Sequence, residues 1–151
     1  MITIEEFKKK QTNKTRLIGL DLGSKRIGVS ICDERQSIAT PFKTINKTNS
    51  SALIDDLNII IGENNIKGII IGNPINMDGS IGKSAQSVND VANNISKSIN
   101  IPVILWDERL STVGAFNMSS QLDINVSKRV KTIDQNAAAF ILQGAIDYLN
   151  N

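Results

Sequence analysis

The segment Ile69-Ile70-Ile71 restricts the possible folds more than any other part of this chain. Neighbouring side chains on a strand point to opposite faces of a sheet, so an isoleucine triplet is apolar on both. Such a strand must be covered above and below, as a central strand of an α/β sheet is. Lys67-Gly68 lead into it, and Gly72-Asn73-Pro74 end it.

The remaining elements can be placed around this strand. Thr3 and Glu6 have capping-box spacing, which predicts a short helix over 4–12 carrying Ile4 and Phe7. Strands over 16–21, 26–32 and about 37–45 are joined by turns and are expected to run antiparallel. Ser50 or Ser51 opens a helix with Leu53, Leu57, Ile60 and Ile61 on one face. A helix over 81–99 has Ile81, Ala85, Val88, Ala92, Ile95 and Ile99 at spacings of three and four. Pro102-Val103-Ile104-Leu105-Trp106 forms the last strand, and helices from about 111 and over 133–149 close the chain. The order predicts an α/β fold: a mixed five-stranded sheet, three antiparallel strands then two parallel, with helices on both faces. Residues 1–15 read as an N-terminal extension and 16–151 as one domain, with no repeat or linker between them.

Composition removes several kinds of chemistry. The 151 residues include no histidine and one cysteine, Cys32. Histidine-based triads, histidine-ligated zinc, thiolate clusters and internal disulfides are therefore excluded. Hydrophobic content of 40% with 21% charged residues suits a soluble globular protein. No apolar run long enough to cross a membrane and no signal-peptide pattern is visible, and a lone cysteine fits a reducing cytoplasm. A net charge of +2 permits a nucleic-acid partner without requiring one.

Ligands in α/β sheets gather outside the carboxyl ends of parallel strands. Here those ends are Asp21, Gly72-Asn73-Pro74 and Asp107-Glu108-Arg109. Asp21-Leu22-Gly23-Ser24-Lys25-Arg26 also reads as a simple hairpin turn, and Asp107 and Glu108 as loop acids paired with Arg109. Asp134 is in phase with Ala138, Ile141 and Ala145, the face that packs on the sheet. Thr132 and Gln135 have capping-box spacing, which would put Asp134 in the first helical turn and explain it structurally. Carboxylates from separate segments, without His or Cys, suit a hard cation such as Mg²⁺ or Mn²⁺. Two such ions about 4 Å apart can promote phosphodiester cleavage. If the strand ending at Gly72 lies between those ending at Asp21 and Asp107, the outer two are roughly 10 Å apart. Glu108 is long enough to bridge that gap over Gly72, so Asp107 and Glu108 both stand as candidates beside Asp21 and Asp134.

Basic and polar residues flank these acids. Lys25, Arg26, Lys83 and Arg109 would ring the rim with positive charge suited to a phosphodiester backbone. The loop from Gly72 to Ser80 feeds a helix N-terminus, a natural phosphate seat, although Asp78 or Ser80 could equally be an ordinary helix cap. Lys128-Arg129-Val130-Lys131 lies before the predicted last helix, as a nucleic-acid-contacting arm or a solvated loop.

Four of these segments together resemble the YqgF/RuvX family. They are Leu20 through Val29, Asn76-Met77-Asp78-Gly79-Ser80, Asp107-Glu108-Arg109-Leu110-Ser111-Thr112, and Asp134 through Gln143. The resemblance runs from about Arg16 to Leu149. It implies a ribonuclease H-like fold related to the RuvC Holliday-junction resolvases. It also implies a nuclease maturing the 5′ end of the 16S ribosomal RNA precursor, with junction resolution and a part in transcription as further proposed roles. Metal-dependent catalysis follows from it, with Asp21, Asp107-Glu108 and Asp134 at the acidic positions and Asp21, Glu108 and Asp134 as metal ligands. Asn73, where the family usually has Leu, and the residues before Arg16 depart from the pattern.

The expected function is thus a Mg²⁺- or Mn²⁺-dependent nuclease, with two ions, acting on structured nucleic acid and on RNA more than DNA. Pre-ribosomal particles are possible partners, and the chain would work as a monomer or homodimer. A DNA-junction nuclease and a non-catalytic nucleic-acid-binding or ribosome-assembly factor are the alternatives. An actin-like ATPase, which also begins with Asp-x-Gly after a first strand, would need a second such domain.

Overall fold

The computed structural model describes residues 1–75, 78–110 and 126–151, the side chains of 126–135 excepted. Helix α1 (Ile4–Lys10) precedes three strands, β1 (Arg16–Leu22), β2 (Arg26–Cys32) and β3 (Ala39–Asn46). Helix α2 (Ser50–Asn64), strand β4 (Ile66–Asn73), helix α3 (Lys83–Ser98) and strand β5 (Val103–Asp107) follow. A 3₁₀ turn (Glu108–Leu110) and the long helix α4 (Val126–Asn150) complete the described elements.

The sheet order is β3-β2-β1-β4-β5. β1, β2 and β3 pair antiparallel, whereas β4 pairs in parallel with β1 and β5. The expected mixed sheet is present, with β4 between the two acid-bearing strands. Ile69, Ile70 and Ile71 are all fully buried, as a doubly covered strand requires. On one face Ile18, Leu20, Ile69 and Ile71 pack with Leu57 and Ile60 of α2 and Ala92 and Ile95 of α3. On the other, Leu17, Ile70, Ile104 and Trp106 pack with Phe7 of α1 and Ile141, Leu142 and Ile146 of α4.

Local chemistry sets the helix ends. The Thr3 hydroxyl accepts from Glu6 N at 3.1 Å and donates to the Glu6 carboxylate at 3.3 Å, so Thr3 caps α1 through half of the predicted capping box, Glu6 meeting the hydroxyl instead of the Thr3 backbone N–H. Asn49 caps α2 by accepting from Ala52 N at 2.8 Å, and Asn65 ends it in a left-handed conformation. α3 begins at Lys83, after an extended Gly82, and Ile81 is 65% exposed outside it, contrary to its expected place on the buried stripe. The competing structure is local: Asp78 Oδ1 accepts from Ser80 N at 2.9 Å and from the Ser80 hydroxyl at 2.6 Å. Neither residue caps the helix.

The last helix also departs from expectation. It starts at Val126, not 133, so Thr132 does not open it and Asp134 is outside its first turn. No Gly or Pro interrupts residues 126–133, and Lys128, Arg129 and Lys131 are good helix formers that carry the backbone through. Those three cations are on a helix, not a flexible arm. The helix expected from about 111 lies outside the described residues.

Candidate active site

β1 alternates Leu17, Gly19 and Asp21 toward α4. At Gly19 the helix comes so close that an added Cβ would stand 2.7 Å from Leu142 Cβ and 3.0 Å from the Ala138 carbonyl oxygen. The buried Ser30 hydroxyl, on neighbouring β2, donates to that same carbonyl at 2.7 Å. This contact fixes the height and register of α4 on the sheet. At its far end the Asn150 side chain donates to the Gln36 carbonyl at 2.7 Å, so α4 runs opposite to β1. Ala138, Ile141 and Ala145 are all buried, as the sheet-facing phase of 134 requires. Position 134, one turn before Ala138, is therefore on that phase and displaced toward the end of β1 that carries Asp21. The Asp134 side chain, with those of Lys128, Arg129 and Lys131, lies outside the described residues.

Asp21 is half-buried beside Gly28 of β2, just before the turn. The hairpin reading of this segment also holds: Gly23 N donates to the Arg26 carbonyl at 2.9 Å, and a Cβ on Gly23 would stand 2.5 Å from that oxygen. Turn geometry and an acid at the strand end are compatible here.

Asp107 and Glu108 separate at the end of β5. The Asp107 carboxylate is gripped by its neighbour: Arg109 Nη2 donates at 2.7 Å, Nε at 3.0 Å to both oxygens, and the backbone N at 2.9 Å. This holds the Asp107 carboxyl below its ordinary range, the Arg109 side chain being the main cause. Glu108 turns inward instead. Its Oε1 lies 2.8 Å from where a Cβ on Gly72 would be, next to Ile141. The glycine leaves room for the carboxyl, and any side chain there would displace it. Burial pushes the Glu108 carboxyl up to about 7, helped by the charges of Asp21 and then Asp107.

The cations are arranged around this rim. Lys25 is exposed in the turn, Arg26 opens β2 half-buried, and Lys83 is exposed at the first residue of α3. Arg109, though held by Asp107, also reaches the Asp78 loop, its Nη1 being 3.7 Å from the Cβ position of Gly79. The Asp78 carboxyl is lowered, first by the Ser80 hydroxyl and also by Arg109. Among the described residues no group of three or more acidic, His or Cys side chains gathers as a ready metal cluster. Asp21 and Glu108 are the pair the described structure brings together.

Two residues were not anticipated. Ser30 is a polar position inside an apolar alternation, which is the signal that could have found it. Lys47 follows β3 and is held beside the first hairpin by its N–H donating to the Lys25 carbonyl at 2.9 Å. Asn73 is buried, and its Oδ1 has no hydrogen-bond partner among the described residues, a costly polar atom at the rim.

A model of the RuvX family, described as Holliday junction resolvase, matches residues 15–148. A protein of Pelagibacter ubique bearing the name "Putative pre-16S rRNA nuclease" is 84% identical over the whole of both chains. The chain belongs to the RuvX family. A RuvX relative of the same name from Rhodobacter capsulatus is 45% identical, the match covering 88% of this chain and 84% of that one. The fold is also that of Thermus thermophilus RuvC solved with a Holliday junction substrate, at a TM-score of 0.55 and 10% identity. That match covers 89% of this chain and 94% of RuvC. The yeast mitochondrial Holliday junction resolvase gives a TM-score of 0.54 at 13% identity, over 97% of this chain and 84% of that one. These structures share the resolvase fold, with its mixed five-stranded sheet, and the RuvX family is a nuclease family. Among the described residues no helix is long and apolar enough to cross a membrane.

Proposed function

We propose that this chain is a divalent-metal-dependent nuclease whose substrate is the precursor of 16S ribosomal RNA, cut at or near its 5′ end. The observation that carries the reading is the Glu108 carboxyl, seated over Gly72 in the field of Asp21 at the common end of β1, β4 and β5. Two carboxyls that raise each other's cost of ionisation are the environment a cation relieves. Their all-oxygen chemistry suits Mg²⁺ or Mn²⁺, held by Asp21, Glu108 and Asp134. When bound, such ions make a water more acidic and offset charge on the leaving oxygen.

The chain's own residues do the rest. With its pKa near 7, Glu108 carries a proton about half the time at neutral pH, and its carboxyl would give that proton up to hold a cation. Gly72 keeps the space open, and Asp21 holds the opposite side of the site from a rigid strand. Arg109 occupies Asp107, which leaves Glu108 as the inward acid, and orients the Asp78 loop. Lys25, Arg26, Ser80, Lys83 and the helix cations Lys128, Arg129 and Lys131 contact the phosphodiester backbone. The names of the 84% and 45% identical relatives support RNA as the polymer; work on pre-ribosomal particles in the cytoplasm is the setting consistent with that substrate.

The test is cleavage of matched structured RNA and DNA-junction substrates with Mg²⁺, Mn²⁺ or chelator. Wild type is expected to cut RNA only with metal, and Asp21→Asn to lose at least 10²-fold in rate, the scale of a lost electrostatic catalytic group. Cleavage confined to DNA junctions would redirect the substrate. Equal activity in the Asp21→Asn protein would overturn the mechanism.

A further inference from the structure

We propose that a second phosphate seat, separate from the acids, lies on the opposite face of the sheet, between the first hairpin and the start of α3, and holds a flanking phosphodiester of the substrate strand. The proposal rests on the nucleic-acid reading above but not on cleavage. A cavity of about 220 Å³ opens there, lined by Leu22, Ser24, Lys47, Lys83, Ser84 and Ser87 among others. Leu22 packs with the α2–α3 core, whereas Glu108 and Gly72 are on the α4 side, so the rim at Leu22-Gly23 separates the two sites.

The lining has one charge sign. Lys47 and Lys83 come from distant segments, and among the described residues no acidic side chain borders the cavity. Both lysines are exposed, and neither makes an ion pair with a carboxylate among the described residues. Two lysines at the edge of one concavity offer an anion two attractive charges. Three serine hydroxyls add short-range donors around the same space. The first turn of α3 supports the assignment: its N-cap, Gly82, offers no side-chain hydrogen bond and no acid occupies that turn. The cavity is continuous with the turn that follows Asp21, so a strand crossing the rim can place one phosphate at the acids and another here.

The test measures binding, not cutting. A fluorescein-labelled RNA oligonucleotide with a single-stranded tail is titrated in chelator over a range of salt, with Asp21→Asn as the parent. The Lys47→Ala/Lys83→Ala double variant is expected to weaken binding and to lower the slope of log K against log salt by about 0.7, one single-strand phosphate. Lys97→Ala, the same charge change at the other end of α3, should leave the slope unchanged. Inorganic phosphate should shift the amide resonances of Ser24 and Ser84 in the parent and not in the double variant. An unchanged slope in the double variant overturns the proposal. So does phosphate-induced shifting with RNA affinity unaffected, which would make the cavity a free-phosphate site. If no substrate is ever cut but the slope still falls, the nuclease reading fails while the seat stands.

Discussion

Glu108 is where a single atom's surroundings have the largest consequence. Its folded-state pKa of about 7 is raised above the ordinary 4.5, so the metal-free fold binds a proton that the unfolded chain has already lost. The stability this contributes is fully present below 4.5 and is lost as pH rises through about 7. The carboxyl is partly exposed, and solvent screening reduces the effect to on the order of 1 kcal/mol. Metal-free Glu108→Gln should therefore melt with less pH dependence than wild type between pH 5 and 8, and higher than wild type at pH 8. Thermal denaturation across that range checks both. Added Mg²⁺ should raise the wild-type melting temperature at pH 8 and leave the variant's unmoved. The sequence could mark the acids at strand ends but could not choose between Asp107 and Glu108. The choice depends on a 3₁₀ turn that breaks the strand's alternation and on Arg109 folding back two residues, neither of which periodicity encodes.

At the scale of elements, the seating of α4 on β1 decides whether the acid on the helix reaches the acid on the strand. Gly19 and Ser30 set that seating. A Gly19→Ala side chain would lie 2.5 Å from Ser30 Oγ as well as against Leu142, and relief requires lifting the helix. We expect a loss of about 1–3 kcal/mol in stability from this overpacking. Cleavage should fall further than the stability loss explains, read by comparing denaturant midpoints with rates well below the melting temperature. Ser30→Ala removes the hydrogen bond to the Ala138 carbonyl without adding bulk and should cost on the order of 1 kcal/mol. An activity loss in Gly19→Ala no larger than its stability loss explains would contradict the seating argument. Gly19 was legible only as a strand residue, because close approach is a property of two segments 119 positions apart (19 and 138) in the chain. The long apolar stripes of α2 and α3 were legible, but α3's start was not, because the Asp78–Ser80 turn outcompeted a helical phase that extended to Ile81. The start of α4 was misplaced for the opposite reason. A capping-box spacing at Thr132 and Gln135 carries no weight inside a run that has no helix breaker.

Across the whole molecule, the segment before the family-matched region is part of the core. Phe7 and Ile4 are buried against β5 and α4, and Ile2 forms a parallel bridge with Ile104 at the sheet edge. Lys8 closes the far corner by donating to the Tyr148 and Asn151 carbonyls. Phe7→Ala should therefore cost about 3–5 kcal/mol, a large part of the stability of a chain this size, and its unfolding midpoint in urea measures that directly. A cost near zero would mean the helix merely rests on the surface. The doubly covered centre of the sheet followed from the isoleucine triplet, but the strand order and the contribution of α1 did not, since two apolar residues on a short helix do not reveal what they pack against. The same arrangement fixes where the chain ends emerge. The amino group of Met1 donates to Ser96 Oγ near the end of α3, and the carboxy-terminal residues meet Lys8, Lys14 and Gln36 near the start of β1. Both ends leave from the side of the sheet opposite the acids. A fluorophore or surface tether attached near residue 1 or residue 151 would thus leave the proposed acid site facing bulk solution.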